Sequence, residues 1–264
     1  MTFTNLYKEY TSPYKNMSFY KEIQNYMVKS LHKNHNYNLV GGMMEDKSYT
    51  YKKYVFRISK NTDEDTYIRI HNTNQCFIVI IYSDNTSTAI LQSFSNIPQC
   101  STPKLPKDGG GTIMMKFLLH YLKNIQKCKT VELTDLSNIP CKNDDTIELA
   151  NLYTLTTGIT WYGKFGFVPN EKYIYDKFKN NMKIMDSIKT KDVVKIKYED
   201  GTIGDLLEDN NITIHYNTLL KNSLKQLFIK DCSHYHKISH VLFYKLKIKS
   251  MYGKTFTLKL FNQK

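Results

Sequence analysis

Arginine is almost absent: Arg57 and Arg69 are the only two in a chain of 264 residues, although the formal net charge is +13. Lysine therefore carries the basic excess. Sequence-specific base readers lean on the planar guanidinium fork, so its scarcity argues against that class. Lys, Asn, Ile and Tyr, whose codons are AT-rich, are all abundant. Most of the positive charge thus reads as a solvated surface coloured by composition. A nucleic-acid or acidic protein partner is the competing reading. Long apolar runs are lacking as well. The densest, Cys76 to Tyr82, is far too short to cross a bilayer, and the opening MTFTNLYKEYTSPYK has no apolar signal core. No membrane association is expected. The five cysteines, Cys76, Cys100, Cys128, Cys141 and Cys232, are odd in number and contain no Cys-x-x-Cys pair. They read as reduced thiols in a cytoplasmic compartment.

What is present suits a folded protein. Hydrophobic residues make up 41% and aromatics 13%, which argues against disorder. At roughly 150 residues per domain, the length allows one large domain, or one domain with an extension.

Apolar positions Met17, Tyr20, Ile23, Met27 and Leu31 predict a helix over 16–33, between Ser12-Pro13 and the break at Gly41-Gly42. Four β segments follow: Tyr49–Ser59, Tyr67–His71, Cys76–Tyr82 and Thr88–Phe94. Short turns such as Asp84-Asn85 join them into an antiparallel meander. After a Pro- and Ser-containing loop at 95–108 comes Gly109-Gly110-Gly111, then an amphipathic helix from Thr112 to about Gln126. Thr130–Thr134 alternates as a strand. Strand, glycine loop, helix and strand imply a parallel pair joined by a right-handed crossover. Residues 146–157 read as helical. Further on, Asp200-Gly201 is a turn between two strands, Asn217–Ile229 is helical, and Thr255–Phe261 is a strand. The expected fold class is α/β (α+β).

Glycines opening a helix suit an anion. The first amides are free of intrahelical partners, the helix dipole favours negative charge, and no side chain keeps a phosphate away. A flexible turn that merely caps the helix is the plainer reading. Neither Gly-Lys-Ser/Thr nor a glycine at dinucleotide-fold spacing follows.

The segment Trp161-Tyr162-Gly163-Lys164-Phe165-Gly166-Phe167 reads Tyr-x-Lys-x-Gly-Phe. With the elements before it, in this order over roughly residues 16–176, the chain resembles the GCN5-related N-acetyltransferase superfamily. Leu133–Ser137 together with Thr160–Phe167 is similar to acetyltransferase-like proteins of large DNA viruses; such a source would place it in host cytoplasm or virion. The resemblance implies a mixed sheet with a splayed parallel pair and flanking helices. It implies an acyl-CoA-binding domain at 1–178 and a Lys-rich α+β extension at 179–264. Acetyl-CoA would be the co-substrate. Its diphosphate would sit on the amides of Gly109, Gly110, Gly111 and Thr112, near Lys107, which fits the family's basic loop position if Gly110 and Thr112 fill the next two. In the other register Gly109 and Gly111 fit, and Pro106 replaces the basic residue. The pantetheine arm would run along Gln92, Ser93 and Phe94. Tyr162 matches the tyrosine that protonates the leaving thiolate; a core aromatic is the plainer reading. Asp135, preferred over Glu132, would take the amine proton. Its plainer reading is a turn residue, with Asp135-x-Ser137 satisfying local backbone groups. A fold that keeps this form but only binds or assembles is the rival function.

Two constellations stand outside that scheme. Cys232, His234, His236 and His240 are metal-ligand types whose spacing matches no zinc pattern, so no metal site is expected. Lys245, Lys247 and Lys249 alternate with Leu246 and Ile248, as in a strand with one basic face.

Overall fold

The computed structural model describes residues 43–62, 65–70, 76–95, 98–141, 146–212 and 217–261. The helix expected at 16–33, its Ser12-Pro13 start, the Gly41-Gly42 break and His71 lie outside the described residues.

An eight-stranded sheet in the order β1-β2-β3-β4-β5-β6-β12-β9 dominates the fold. Its strands are β1 (Met43–Tyr51), β2 (Tyr54–Thr62), β3 (Thr66–Ile70), β4 (Phe77–Ile81), β5 (Thr88–Phe94), β6 (Thr130–Thr134), β9 (Val168–Pro169) and β12 (Thr255–Lys259). The stretch Tyr49–Ser59 read as one strand is two, broken by a turn at Lys52-Lys53 in which Lys52 has φ of 56°. Strands β2 to β5 pair antiparallel in succession, whereas β5 and β6 are parallel. A crossover therefore joins that pair, and it is helix α1 (Gly110–Asn124). Phe56 of β2 stacks flat on Phe117 of α1, with centroids 4.0 Å apart and an interplanar angle of 6°. Tyr49 of β1 meets Tyr121 edge-on at 5.0 Å. Met114, Met115, Leu118 and Leu122 complete the buried stripe of α1; each such side chain contributes about 1.5–3 kcal/mol on burial. Strand β4, Phe-Ile-Val-Ile-Ile, is buried at nearly every position, as a strand covered on both faces requires.

A small hairpin of β7 (Asn138–Pro140) and β8 (Thr146–Glu148) follows β6, so the helix expected from residue 146 begins three residues later as α2 (Leu149–Thr157). Beyond β9 come α3 (Lys172–Ser187), the short pair β10 (Lys197–Tyr198) and β11 (Gly201–Thr202), α4 (Ile203–Asp209), α5 (Leu220–Lys230) and α6 (Ser233–Lys245). These helices enclose a second apolar cluster around Leu155, Met185, Ile203, Leu224, Leu227 and Ile238. Helices α2 and α3 straddle both cores: Ala150 and Phe178 belong to the sheet's, Leu155 and Met185 to the second.

The chain after residue 178 returns to the sheet. Strand β12 inserts between β6 and β9, antiparallel to both, and Phe256 is fully buried in the sheet's core. Residues Met44–Lys264 cluster as one unit. The basic strand expected at 245–249 is absent: Lys245 ends α6, and Lys247 adopts a φ of 55°.

Four cysteines expected as free thiols are paired. Cys76 bonds Cys100 and Cys141 bonds Cys232, leaving buried Cys128 free. The partners lie 24 and 91 residues apart, and only the tertiary fold brings their Cα atoms to 5.8 and 5.9 Å. Among the described residues, no helix is long and apolar enough to cross a membrane.

Candidate functional site

The parallel pair opens into a wedge. Strands β5 and β6 pair from Thr88–Thr130 to Leu91–Leu133, and a hydroxyl contact of 2.8 Å between Thr88 and Thr130 pins the closed end. Beyond Leu91 the two strands part. Opposite β4, Leu91 faces Val79 and Ser93 faces Ile78, so Gln92 is an inserted bulge residue. A bulge bends its strand and sharpens its twist, which turns Gln92, Ser93 and Phe94 out of line with β6. β6 stays held on its other side, where Thr255 of β12 pairs with Thr134. Gln92 is exposed, Ser93 and Phe94 are half-buried, and the buried Ser93 hydroxyl has no hydrogen-bond partner among the described residues.

The glycine turn forms the N-terminus of α1. Gly109 has φ of 80°, a left-handed conformation that suits glycine, and a β-carbon there would meet nothing within 4 Å. The first helical bond runs from Ile113 N–H to Gly109 O at 3.2 Å. The N–H groups of Gly110, Gly111 and Thr112 precede it in the first turn, where no acidic residue sits. Lys107 is exposed in the turn before. The loop feeding this turn is anchored three ways: by the Cys76–Cys100 disulfide, by paired backbone bonds between Thr102 and Val55 (2.7 and 2.9 Å), and by Leu105 N–H on Pro98 O.

One cation occupies an electrostatically adverse place here. Lys164 Nζ donates to Thr112 Oγ1 at 3.1 Å and lies 4.5 Å from the Trp161 ring centroid and 5.0 Å from that of Phe165. It therefore sits at the positive end of the helix dipole. Desolvation, and then the charge of Lys116, hold its ammonium below the usual lysine range. A neighbouring anion would offset both effects.

Trp161 and Tyr162 span the mouth of the wedge. The Trp161 ring packs on Phe94 at the end of β5, 5.6 Å between centroids. The Tyr162 hydroxyl lies 3.0 Å from Ser137 Oγ, just beyond β6. Tyr162 also meets Trp161 and Phe167 edge-on, and is only 5% exposed. Burial pushes its phenol well above the ordinary tyrosine range. Asp135 is fully enclosed. Its backbone pairs with the 251–254 turn, through Asp135 N–H on Lys254 O and Gly253 N–H on Asp135 O. Oδ1 accepts the Ser137 amide at 3.2 Å, the local turn anticipated from Asp-x-Ser, while Oδ2 has no partner among the described residues. Burial raises its carboxyl to about 6, against the lowering effect of the Ser137 amide and hydroxyl. Glu132 is half-buried beside Thr257, 3.5 Å from its hydroxyl.

Ser137, read from sequence only as a backbone-satisfying residue, thus joins the two candidate proton carriers. Asp-x-Ser spacing alone does not say where the serine hydroxyl points.

The Cys/His group is dispersed. Cys232 is in a disulfide, His234 Nε2 lies 3.0 Å from Asn210 Oδ1, and His236 packs on Tyr235. Among the described residues, no group of three or more His, Cys, Asp or Glu could hold a metal ion. No family model, curated protein or solved structure matches the chain.

Proposed function

We propose that the chain is an acetyl-CoA-dependent N-acetyltransferase of the GCN5-related kind, acting on an amine of a protein, peptide or small molecule. The observation that carries this reading is the wedge. Parallel strands that part after Leu91 and Leu133 are joined by a helix that opens on glycine. The amides of Gly110, Gly111 and Thr112 would take the diphosphate, with Lys164 and Lys107 supplying positive charge. The edge of Gln92, Ser93 and Phe94, turned away from β6 by the bulge, would take the pantetheine amides as an added strand would. A backbone N–H there would polarise the thioester carbonyl. Tyr162 would protonate the departing thiolate.

Calorimetry with acetyl-CoA on the wild type and Gly110→Glu tests the reading. Gly110 is buried, so the variant is first matched to the wild type in its unfolding transition; loss of binding in a variant that stays folded reports charge and bulk at the phosphate position. Binding that Gly110→Glu leaves intact removes the glycine turn as the site. A second reading follows from the enclosure of Tyr162 and Asp135, which are 5% and 0% exposed: a fold that holds the coenzyme without transferring its acyl group. Acetyl-CoA bound without thiol release, over a panel of a lysine peptide, a free N-terminal peptide and spermidine, would favour it.

A further inference from the structure

The last acid in the sequence is Asp231. From Cys232 to Lys264 there are seven lysines and neither Asp nor Glu. Three of those lysines, Lys245, Lys247 and Lys249, lie at the end of α6 and in the turn that leaves it, and all three are exposed. Asn181 of α3 clamps that turn. Its side chain donates to Lys249 O at 2.7 Å and accepts the Lys249 N–H at 3.0 Å. One helical turn before Asn181 is Lys177, and one turn before that is Tyr173. Residues four apart share a helix face. Tyr173, Lys177 and Asn181 therefore form a stripe about 12 Å long that runs onto the lysine turn. Lys177 Nζ lies 5.1 Å from the Tyr173 ring centroid, and Tyr173 is still 65% exposed. Other lysines of these helices are neutralised: Lys179 by Asp176, and Lys221 by Asp186. Among the described residues no carboxylate forms an ion pair with Lys177, Lys245, Lys247 or Lys249.

We infer that this track binds single-stranded nucleic acid without sequence preference. Four uncompensated ammonium groups along one strip repel one another. A run of phosphates relieves that repulsion, and its condensed counterions are released. A lysine ammonium is a point charge that meets a phosphate of any sequence, which suits a protein so poor in arginine. Tyr173 adds what a purely basic strip lacks, an exposed ring on which any base can stack. A duplex keeps its bases stacked on one another, and an acidic peptide brings phosphate-like charge without a base. The ring therefore selects the single strand. The track takes nothing from the wedge, so the inference stands whether or not the chain transfers acyl groups.

The test is fluorescence anisotropy with a short labelled DNA strand of mixed sequence, over a series of salt concentrations. Log affinity should fall linearly with log salt. Replacing Lys245, Lys247 and Lys249 together with Gln should reduce the steepness of that line by about 2, and adding Lys177→Gln by about 0.7 more. Tyr173→Ala should weaken binding roughly tenfold at unchanged slope, and Tyr173→Phe should restore it. The control replaces Lys52, Lys53 and Lys104 with Gln. These exposed lysines sit at the turn before β2 and in the loop paired with it, at the other end of the sheet from β12, where α3 packs through Phe178 on Phe256. That variant should keep the wild-type slope. Unfolding midpoints equal to the wild type's confirm that each variant is folded. Independently of any variant, ultraviolet crosslinking of a bromouracil-containing strand should place adducts on Tyr173. No binding at low salt overturns the inference, as does an equal loss of slope in the control. Polyglutamate or duplex DNA bound as tightly as the single strand overturns it too, and so do crosslinks confined to residues off the track.

Discussion

Replacing Asp135 with asparagine removes a buried charge at nearly constant shape. Asp135 is 0% exposed, and burial lifts its carboxyl from 3.8 to about 6. A folded-state value above the unfolded one means the native fold prefers the protonated acid. The stability this lends is fully present below about 3.8 and is lost as pH rises through about 6. At 1.36 kcal/mol per unit, the ionised wild type gives up about 3 kcal/mol at neutral pH. The asparagine amide is left without an acceptor at the Oδ2 position, which costs about 1 kcal/mol at all pH values. Urea unfolding at a series of pH values should therefore show the variant near or slightly below wild type in acid. Between about pH 4 and 6 the difference turns in its favour, reaching about 2 kcal/mol at neutral pH. A difference that does not change with pH would refute the reasoning. So would a variant that is less stable at neutral pH, since the carboxylate would then be stabilised by a partner.

Other outcomes follow from the packing and the covalent links. Alkylation of the unfolded, unreduced protein should label one thiol, Cys128, and five after reduction. Cys76→Ser with Cys100→Ser opens a cross-link between residues 24 apart and should cost about 3–4 kcal/mol in denaturant unfolding. Phe117→Ala removes the ring stacked on Phe56 and should lower stability by about 3–5 kcal/mol in the same assay. Lys164→Ala should weaken acetyl-CoA binding about tenfold by calorimetry, the loss of one charge-assisted hydrogen bond, and should flatten its dependence on salt.

How much of this was legible in sequence depended on whether the signal was local. Strands Thr88–Phe94 and Thr130–Thr134 were written in their own alternation and begin and end where expected. Helix α1 starts two residues early because Gly110 and Gly111 already belong to its first turn. Helix α3 went unread: its buried Phe178, Asn181 and Met185 are spaced for a helix, but lysines, asparagines and an inward-facing amide dilute the pattern. That amide is itself informative, since Asn181 bonds both the N–H and the carbonyl of Lys249. The apparent strand at 245–249 shows that two alternations cannot distinguish a sheet from the end of a helix. The disulfides, the insertion of β12 and the Ser137–Tyr162 contact are all long-range, and no spacing within the chain encodes them.

The central claim is that the backbone opening α1 receives a diphosphate. Adding acetyl-CoA to nitrogen-15-labelled protein tests it at the atoms concerned. The amide resonances of Gly110, Gly111 and Thr112 should move downfield, with Gln92 to Phe94 shifting alongside. If those amides stay in place while others move, or no resonance moves at all, the claim is wrong.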